Sequence, residues 1–315
     1  MPTRSVRPLD DIPGKLDHVV RAKFQNLLDA SYRPFPFAEL PIELALRILG
    51  YAASCSQGTY RSLLLTNKRM AGLVRIEMLS GVSVILTSER QMKAFKFYLR
   101  ACPEVIPHIH ALWTVTPGSV RQISTLCVDI ITTCTSLRAL ACHPHILLQS
   151  ICQQTTLAHT LLVDLTMIEF RVPWSLLMNY GGSRTGAELF NQLERLHFIG
   201  ALDTNHWAVF PKLNNISRVS IAMGSHRRIT ADLFQELVAS PKLLQVVITT
   251  RLHGEAQQTL SSAAQDIDDR FSVLHRRRRW KEANLWNESL QDPDRFWNQA
   301  KEEKYLPPAP RPAVH

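Results

Sequence analysis

Five residues near the middle of the chain have the side chains of a metal site: Cys134, Cys142, His143, His145 and Cys152. Thiolate and imidazole suit zinc, but zinc sites carry tight ligand pairs. Only His143-Pro144-His145 is tight here. The six cysteines (Cys55, Cys102, Cys127, Cys134, Cys142 and Cys152) contain no C-x-x-C pair. In a reducing compartment they read as small core residues, the cluster fits a strand edge and a helix, and no metal or other cofactor is expected. A second candidate is Tyr180-Gly181-Gly182-Ser183-Arg184-Thr185-Gly186. A phosphate loop needs Lys-Ser/Thr after its last glycine, where Ala187-Glu188 stands, and Ser183 lacks a G-x-S-x-G setting. The stretch reads as a flexible loop able to contact a partner. The twelve histidines are scattered, and no local motif unites a nucleophile, a base and an orienting group. The expectation is therefore a protein that is not an enzyme and has no catalytic residue.

Arg276, Arg277, Arg278 and Arg279, followed by Trp280 and Lys281, form the one dense basic run. It could serve as a nuclear-import signal or as a phosphate-binding patch interleaved with aromatics. The alternative is a solvated face between packed elements, which the flanking aromatics favour, so nucleic acid is not the expected partner. The net charge of +9 arises from 36 basic and 27 acidic side chains and is otherwise spread out. With 45% hydrophobic residues in 315, the chain is long enough to bury a substantial core in one or two domains. No apolar run is long enough for a membrane span, and no secretory signal precedes the first charged residues. A cytoplasmic or nuclear location is expected.

Closer to the N-terminus, Pro41 suits the start of a helix, and Glu43 places negative charge near the positive end of its dipole. Leu40, Leu44, Ile48 and Ala52 recur every fourth residue as an apolar stripe, with Leu49 beside them. A second helical piece runs from about Thr59 to Leu65. Thr66 or Asn67 then caps a third, with Met70, Leu73, Val74 and Met78. Three short helices opened by Leu40-Pro41-Ile42-Glu43-Leu44 resemble the F-box-like domain over residues 39–79. The resemblance implies docking on the Skp-type adaptor of a cullin-RING ubiquitin ligase, with Leu40, Pro41, Leu44, Ile48, Leu63, Leu65 and Met70 as the docking residues. It also implies that the rest of the chain selects a protein substrate. The chain departs from the family at Ala52-Ala53, where a large aliphatic residue is usual, and at Met70, where tryptophan is frequent.

Between residues 80 and 250 an aliphatic motif recurs. It reads Val82-x-x-Ile85-x-Thr87, Ile109-x-x-Leu112-x-Thr114, Leu137-x-x-Leu140-x-Cys142 and Leu162-x-x-Leu165-x-Met167, then Leu193-x-x-Leu196-x-Phe198, Ile216-x-x-Val219-x-Ile221 and Leu243-x-x-Val246-x-Ile248. Its starts lie 27, 28, 25, 31, 23 and 27 residues apart, close to the roughly 20–29 of leucine-rich repeats. Helical periodicity fills several gaps, as at Val120, Ile123, Cys127, Ile130, Ile131 and Cys134, and at Leu233, Phe234, Leu237 and Val238. Strand then helix at this period resembles an irregular leucine-rich-repeat region, with half-buried strands presenting a concave face. A non-repetitive α/β domain is the alternative.

From Asp268 the composition changes, with Asp268-Asp269-Arg270-Phe271, then Trp280, Trp286 and Asp294-Arg295-Phe296-Trp297. This resembles the tail of F-box-like proteins abundant in mushroom-forming fungi, and its aromatics are expected to cap the open end of the repeats. The expected fold class is thus α/β: a three-helix F-box-like domain, an irregular leucine-rich-repeat solenoid and a C-terminal aromatic and basic cap. The expected boundaries are 1–38, 39–79, 80–255, 256–304 and a Pro-rich tail at 305–315. The function expected from the resemblance is a substrate-recognition adaptor of an SCF-type ligase; the alternative is a ligase-independent interaction scaffold.

Overall fold

Pro41 ends the irregular backbone at residue 40 and begins the first described helix, its carbonyl accepting the Ala45 N–H at 3.0 Å. This helix, α1, spans Ile42–Cys55, followed by α2 (Gln57–Thr66) and α3 (Lys68–Val74). The computed structural model describes residues 40–305, apart from 67, 77, 115–120, 171, 203–212, 223–236, 238–241, 251–259, 263, 265, 267 and 276–281. Two compact units divide the chain, residues 1–45 and residues 46–315. In α1 the buried positions are Ala45, Leu49 and Ala53, while Leu44 and Ile48 lie exposed. The apolar stripe expected at Leu44 and Ile48 is therefore an outer ridge, and its neighbours one residue on form the packed one.

The second unit is organised by eight strands. In chain order come β1 (Ser83–Leu86), α4 (Glu89–Ala101), β2 (Ala111–Thr114), α5 (Arg121–Thr133), β3 (Ala139–Cys142) and α6 (Pro144–Leu147). Then follow β4 (Asp164–Phe170), α7 (Trp174–Met178), α8 (Thr185–Gln192), β5 (Arg195–Leu202), β6 (Arg218–Ala222), β7 (Gln245–Thr250) and β8 (Phe271–His275). Two helices close the described chain, α9 (Glu282–Gln291) and α10 (Pro293–Tyr305). The strands form one sheet in the order β1 to β8, every neighbouring pair parallel.

One ladder row carries the second residue of the aliphatic motif: Leu112, Leu140, Leu165, Leu196, Val219 and Val246 pair in succession. The row extends to Val84 at one end and Phe271 at the other. The first motif is thus misplaced by one residue. Val84 and Leu86, not Ile85 and Thr87, take the positions equivalent to Leu112 and Thr114, and Thr87 is an exposed residue beyond the strand. A slip of one residue exchanges the two faces of a strand.

The expected architecture is corrected here. The chain forms a single all-parallel eight-stranded sheet with helices, and neither a three-helix F-box-like domain nor a leucine-rich-repeat solenoid is shown. Two findings carry this. The division between the compact units falls inside α1, between residues 45 and 46, and not after α3. The strands, moreover, are buried on both faces: β3 and β7 hold no exposed residue, as all-parallel sheets require. On one face Trp174 of α7 packs against Phe170 and Phe198 of the sheet and Phe190 of α8, at ring separations of 4.9, 6.2 and 5.1 Å. On the other face, Trp286 of α9 joins Trp113, Ala139, Ala141 and Ile168, and Trp297 of α10 joins Val247 and Leu274. The segment expected to cap an open end instead supplies strand β8 and the two helices that cover this second face.

Candidate functional site

Two surfaces bear on function. The first is the outer side of α1 and α2. Leu40 is half-buried just before α1, Pro41 is exposed, and Leu44 and Ile48 stand four residues apart, 48% and 46% exposed. Tyr51, one turn on from Ile48, is 79% exposed. In α2, Leu63 is half-buried and Leu65 is 85% exposed. Met70 lies on α3. Within the second unit, the Tyr60 hydroxyl donates to the Arg75 carbonyl at 2.9 Å, and the Arg75 guanidinium meets Glu104 at 3.0 Å. Arg276 to Arg279 lie outside the described residues, as do Trp280 and most of the helix expected around Leu233; Leu237 from that stretch is buried.

The second surface is the sheet face beneath α9 and α10, whose first row is polar from β4 to β7. Asp164, Arg195 and Arg218 pair across β4, β5 and β6, and Gln245 continues the row on β7. The Arg195 Nε donates to Asp164 Oδ2 at 2.9 Å, and His197 Nε2 lies 3.6 Å from Asp164 Oδ1. Burial would raise the Asp164 carboxyl, but His197 and Arg195 outweigh it and hold its pKa below the ordinary carboxylate value. Arg218 reaches Asp294 of α10 at 3.0 Å and lies over the Trp297 ring, 5.6 Å from its centre. The Gln245 amide donates to the Trp297 carbonyl at 2.8 Å. These bonds tie α10 to the sheet, so the face expected to receive a substrate is covered by the chain itself.

Asp164, His197 and Ser220 occupy adjoining strands, as a nucleophilic triad could. Their geometry differs from one. No hydrogen bond joins His197 to Ser220 among the described residues, and the cavity beside them is about 30 Å³, room for roughly one water. The His197 ring is packed against Phe296 and Trp297 at 6.2 and 5.5 Å. The group is a buried electrostatic seam between sheet and helices.

Cys134, Cys142 and Cys152 are buried, and burial pushes the Cys134 and Cys152 thiols up to about 12. The His143 ring meets the Ile168 carbonyl at 3.0 Å and stacks on His145. Among the described residues no three histidine, cysteine or acidic side chains converge as metal ligands. The stretch read as a flexible loop is a short 3-10 turn leading into α8. Its Ser183 and Thr185 hydroxyls both donate to the Gln154 carbonyl, at 2.9 and 2.7 Å. The polar sheet row escaped sequence reasoning because alternating polar residues on strands signal a solvated face; Trp286 and Trp297 were the signal that something apolar lies over it.

No protein-family model matches the chain, and no curated protein matches it. Among the described residues no helix is long and apolar enough to cross a membrane.

Proposed function

We propose that this chain is a substrate-recognition adaptor of an SCF-type cullin-RING ubiquitin ligase, working in the cytoplasm or nucleus. It docks on a Skp-type adaptor subunit through α1 to α3 and recruits a protein substrate through the residues that follow. The observation that supports this reading is the outward ridge of Leu44, Ile48 and Tyr51 on α1, with Leu65 exposed on α2. Leu44, Ile48 and Leu65 are among the side chains whose resemblance to the F-box-like helices implies contact with the adaptor, and Tyr51 extends their ridge. An aliphatic side chain of this size, fully desolvated in an interface, contributes about 1.5–3 kcal/mol. The mechanism is recruitment and orientation of the substrate rather than chemistry.

The test is co-purification of the chain with its cognate Skp-type subunit, comparing wild type, Leu44→Asp and Ile48→Asp, each with a thermal melt. Both positions are exposed, so the variants are expected to melt like the wild type while losing the adaptor. A well-folded wild type that binds no adaptor overturns the reading. That outcome favours a ligase-independent scaffold, a reading supported by α2 packing beside β1 and by the Arg75 bond to Glu104. In that case α2 and α3 serve to cover the edge of the sheet.

A further inference from the structure

At the N-terminal ends of strands β1 to β5 the second unit opens into a cleft of about 700 Å³. Its volume falls in the range of small-molecule sites, roughly 300–1,000 Å³. Val82, Ala111, Ala139 and Val163 give it an apolar floor, and the turn between α9 and α10 forms one wall. Three arginines line it, Arg138, Arg195 and Arg295, against one lining acidic residue among the described residues, Asp292. Asp292 is already engaged, its Oδ1 accepting the Arg295 backbone N–H at 3.0 Å.

The arginines are poorly compensated. Arg138 and Arg295 are exposed, and no side-chain hydrogen bond or ion pair of either occurs among the described residues. Arg195 spends its Nε on Asp164, and no bond from its terminal amino groups occurs among the described residues. Nearby His110 supplies no counter-charge: burial, then Arg138, lowers its pKa. Residue 138 immediately precedes β3 and Arg195 opens β5, two strand spacings away, or about 10 Å. Two arginine side chains can close on an anion set in a gap of that width. Guanidinium forks match carboxylate and phosphate alike. Three forks, however, offer more donors than one carboxylate accepts, and suit the three terminal oxygens of a phosphate.

We propose that this cleft binds a small phosphomonoester, its phosphate held among Arg138, Arg195 and Arg295 and its organic body resting on the floor of Ala111, Ala139 and Val163. Binding here does not rest on adaptor docking, although Tyr51, Ser54 and Cys55 of α1 also line the cleft. The test is calorimetric titration of the full chain with phenyl phosphate, with inorganic phosphate as competitor and phenol as control. Wild type is expected to bind phenyl phosphate with a dissociation constant below about 1 mM, to release it to inorganic phosphate, and to ignore phenol. Arg138→Gln combined with Arg295→Gln is expected to weaken binding roughly tenfold or more without moving the melting temperature of the free protein. The wild-type titrations decide the matter even if that variant fails to fold. No binding by folded wild type, equal binding of phenol, binding unchanged in the folded double variant, or binding of a phosphoserine peptide but not of phenyl phosphate would each overturn the proposal.

Discussion

Trp113 on β2 and Trp286 on α9 meet with ring centres 5.5 Å apart and planes inclined by 59°. This tilted pair ties the early part of the sheet to a helix made more than a hundred residues later, and Ile85, Ala283 and Leu290 pack around it. Aromatic pairs in such geometry contribute beyond the area they bury. Trp286→Ala is therefore expected to cost about 3–5 kcal/mol, read as a lower denaturant midpoint. The Trp286 Nε1 is buried with no acceptor, so Trp286→Phe, which deletes that orphan donor, is expected to cost less than about 1.5 kcal/mol. Equal losses for the two variants would show that ring packing does not hold α9 in place.

The seam at Asp164 makes stability sensitive to acid. Its carboxyl is held below the ordinary value in the folded protein, where burial opposes ionisation but His197 and Arg195 prevail. A depressed carboxylate contributes stability above the unfolded value, about 3.9, and loses it as pH falls through the folded value. Asp164→Asn is expected to cost roughly 1–3 kcal/mol at pH 7. That difference should shrink as wild type and variant are unfolded side by side below about pH 4; a gap constant down to pH 2 would contradict it.

His159 acts in a different window. Its ring is buried and its Nε2 donates to the Ile131 carbonyl at 2.9 Å. Burial lowers its pKa, with the Ile131 bond opposing in part. Below about pH 6.5 the unfolded chain takes up a proton that the folded chain still refuses. Acidification from that point to the folded value thus destabilises the fold, and no further change follows below it. The melting temperature should decline over this interval, and His159→Gln should flatten the decline. An unchanged slope in the variant would assign it to another group.

Glycine substitutions separate close approach from open space. A Cβ on Gly186 would sit 1.6 Å from the Leu177 carbonyl oxygen, so α7 and α8 could not keep their spacing. Gly186→Ala is expected to cost at least about 2 kcal/mol. Gly72 lies on α3 with nothing within 4 Å of the added atom, and Gly72→Ala should stabilise by about 0.5–1 kcal/mol. Thermal melts of the two variants should therefore move in opposite directions.

Much of the sheet was legible because its inner row is written in large aliphatic residues at steady intervals, Leu112, Leu140, Leu165, Leu196, Val219 and Val246. The first strand was misread because Val82, Val84, Ile85 and Leu86 are all apolar: with both faces buried, alternation does not choose a register. Strand β8 hid behind the conspicuous Asp268 and Arg270, whose side chains pair at 2.9 Å before Phe271 begins the strand. The covered face was illegible for a subtler reason. Asp164, Arg195, His197 and Arg218 look like residues meant for water, and only their mutual bonds and those to α10 make the burial of Asp164 and the partial burial of the others tolerable. The outer ridge of α1 was half legible: its period was plain, but Leu44 and Leu49 are equally apolar, and sequence alone did not say which would face outward.

The covering of the sheet by α9 and α10 also sets a timetable. All eight strands leave the ribosome before residue 282 does, and at about 5–20 residues per second the early strands wait many seconds for their second cover. Throughout that wait Trp113 and Ala141 face the cell uncovered, and the charges of Asp164 and Arg195 have only each other, His197 and water. A message that stops translation short of α9 would release a sheet with one naked side, the kind of product that quality-control chaperones detect by its stickiness.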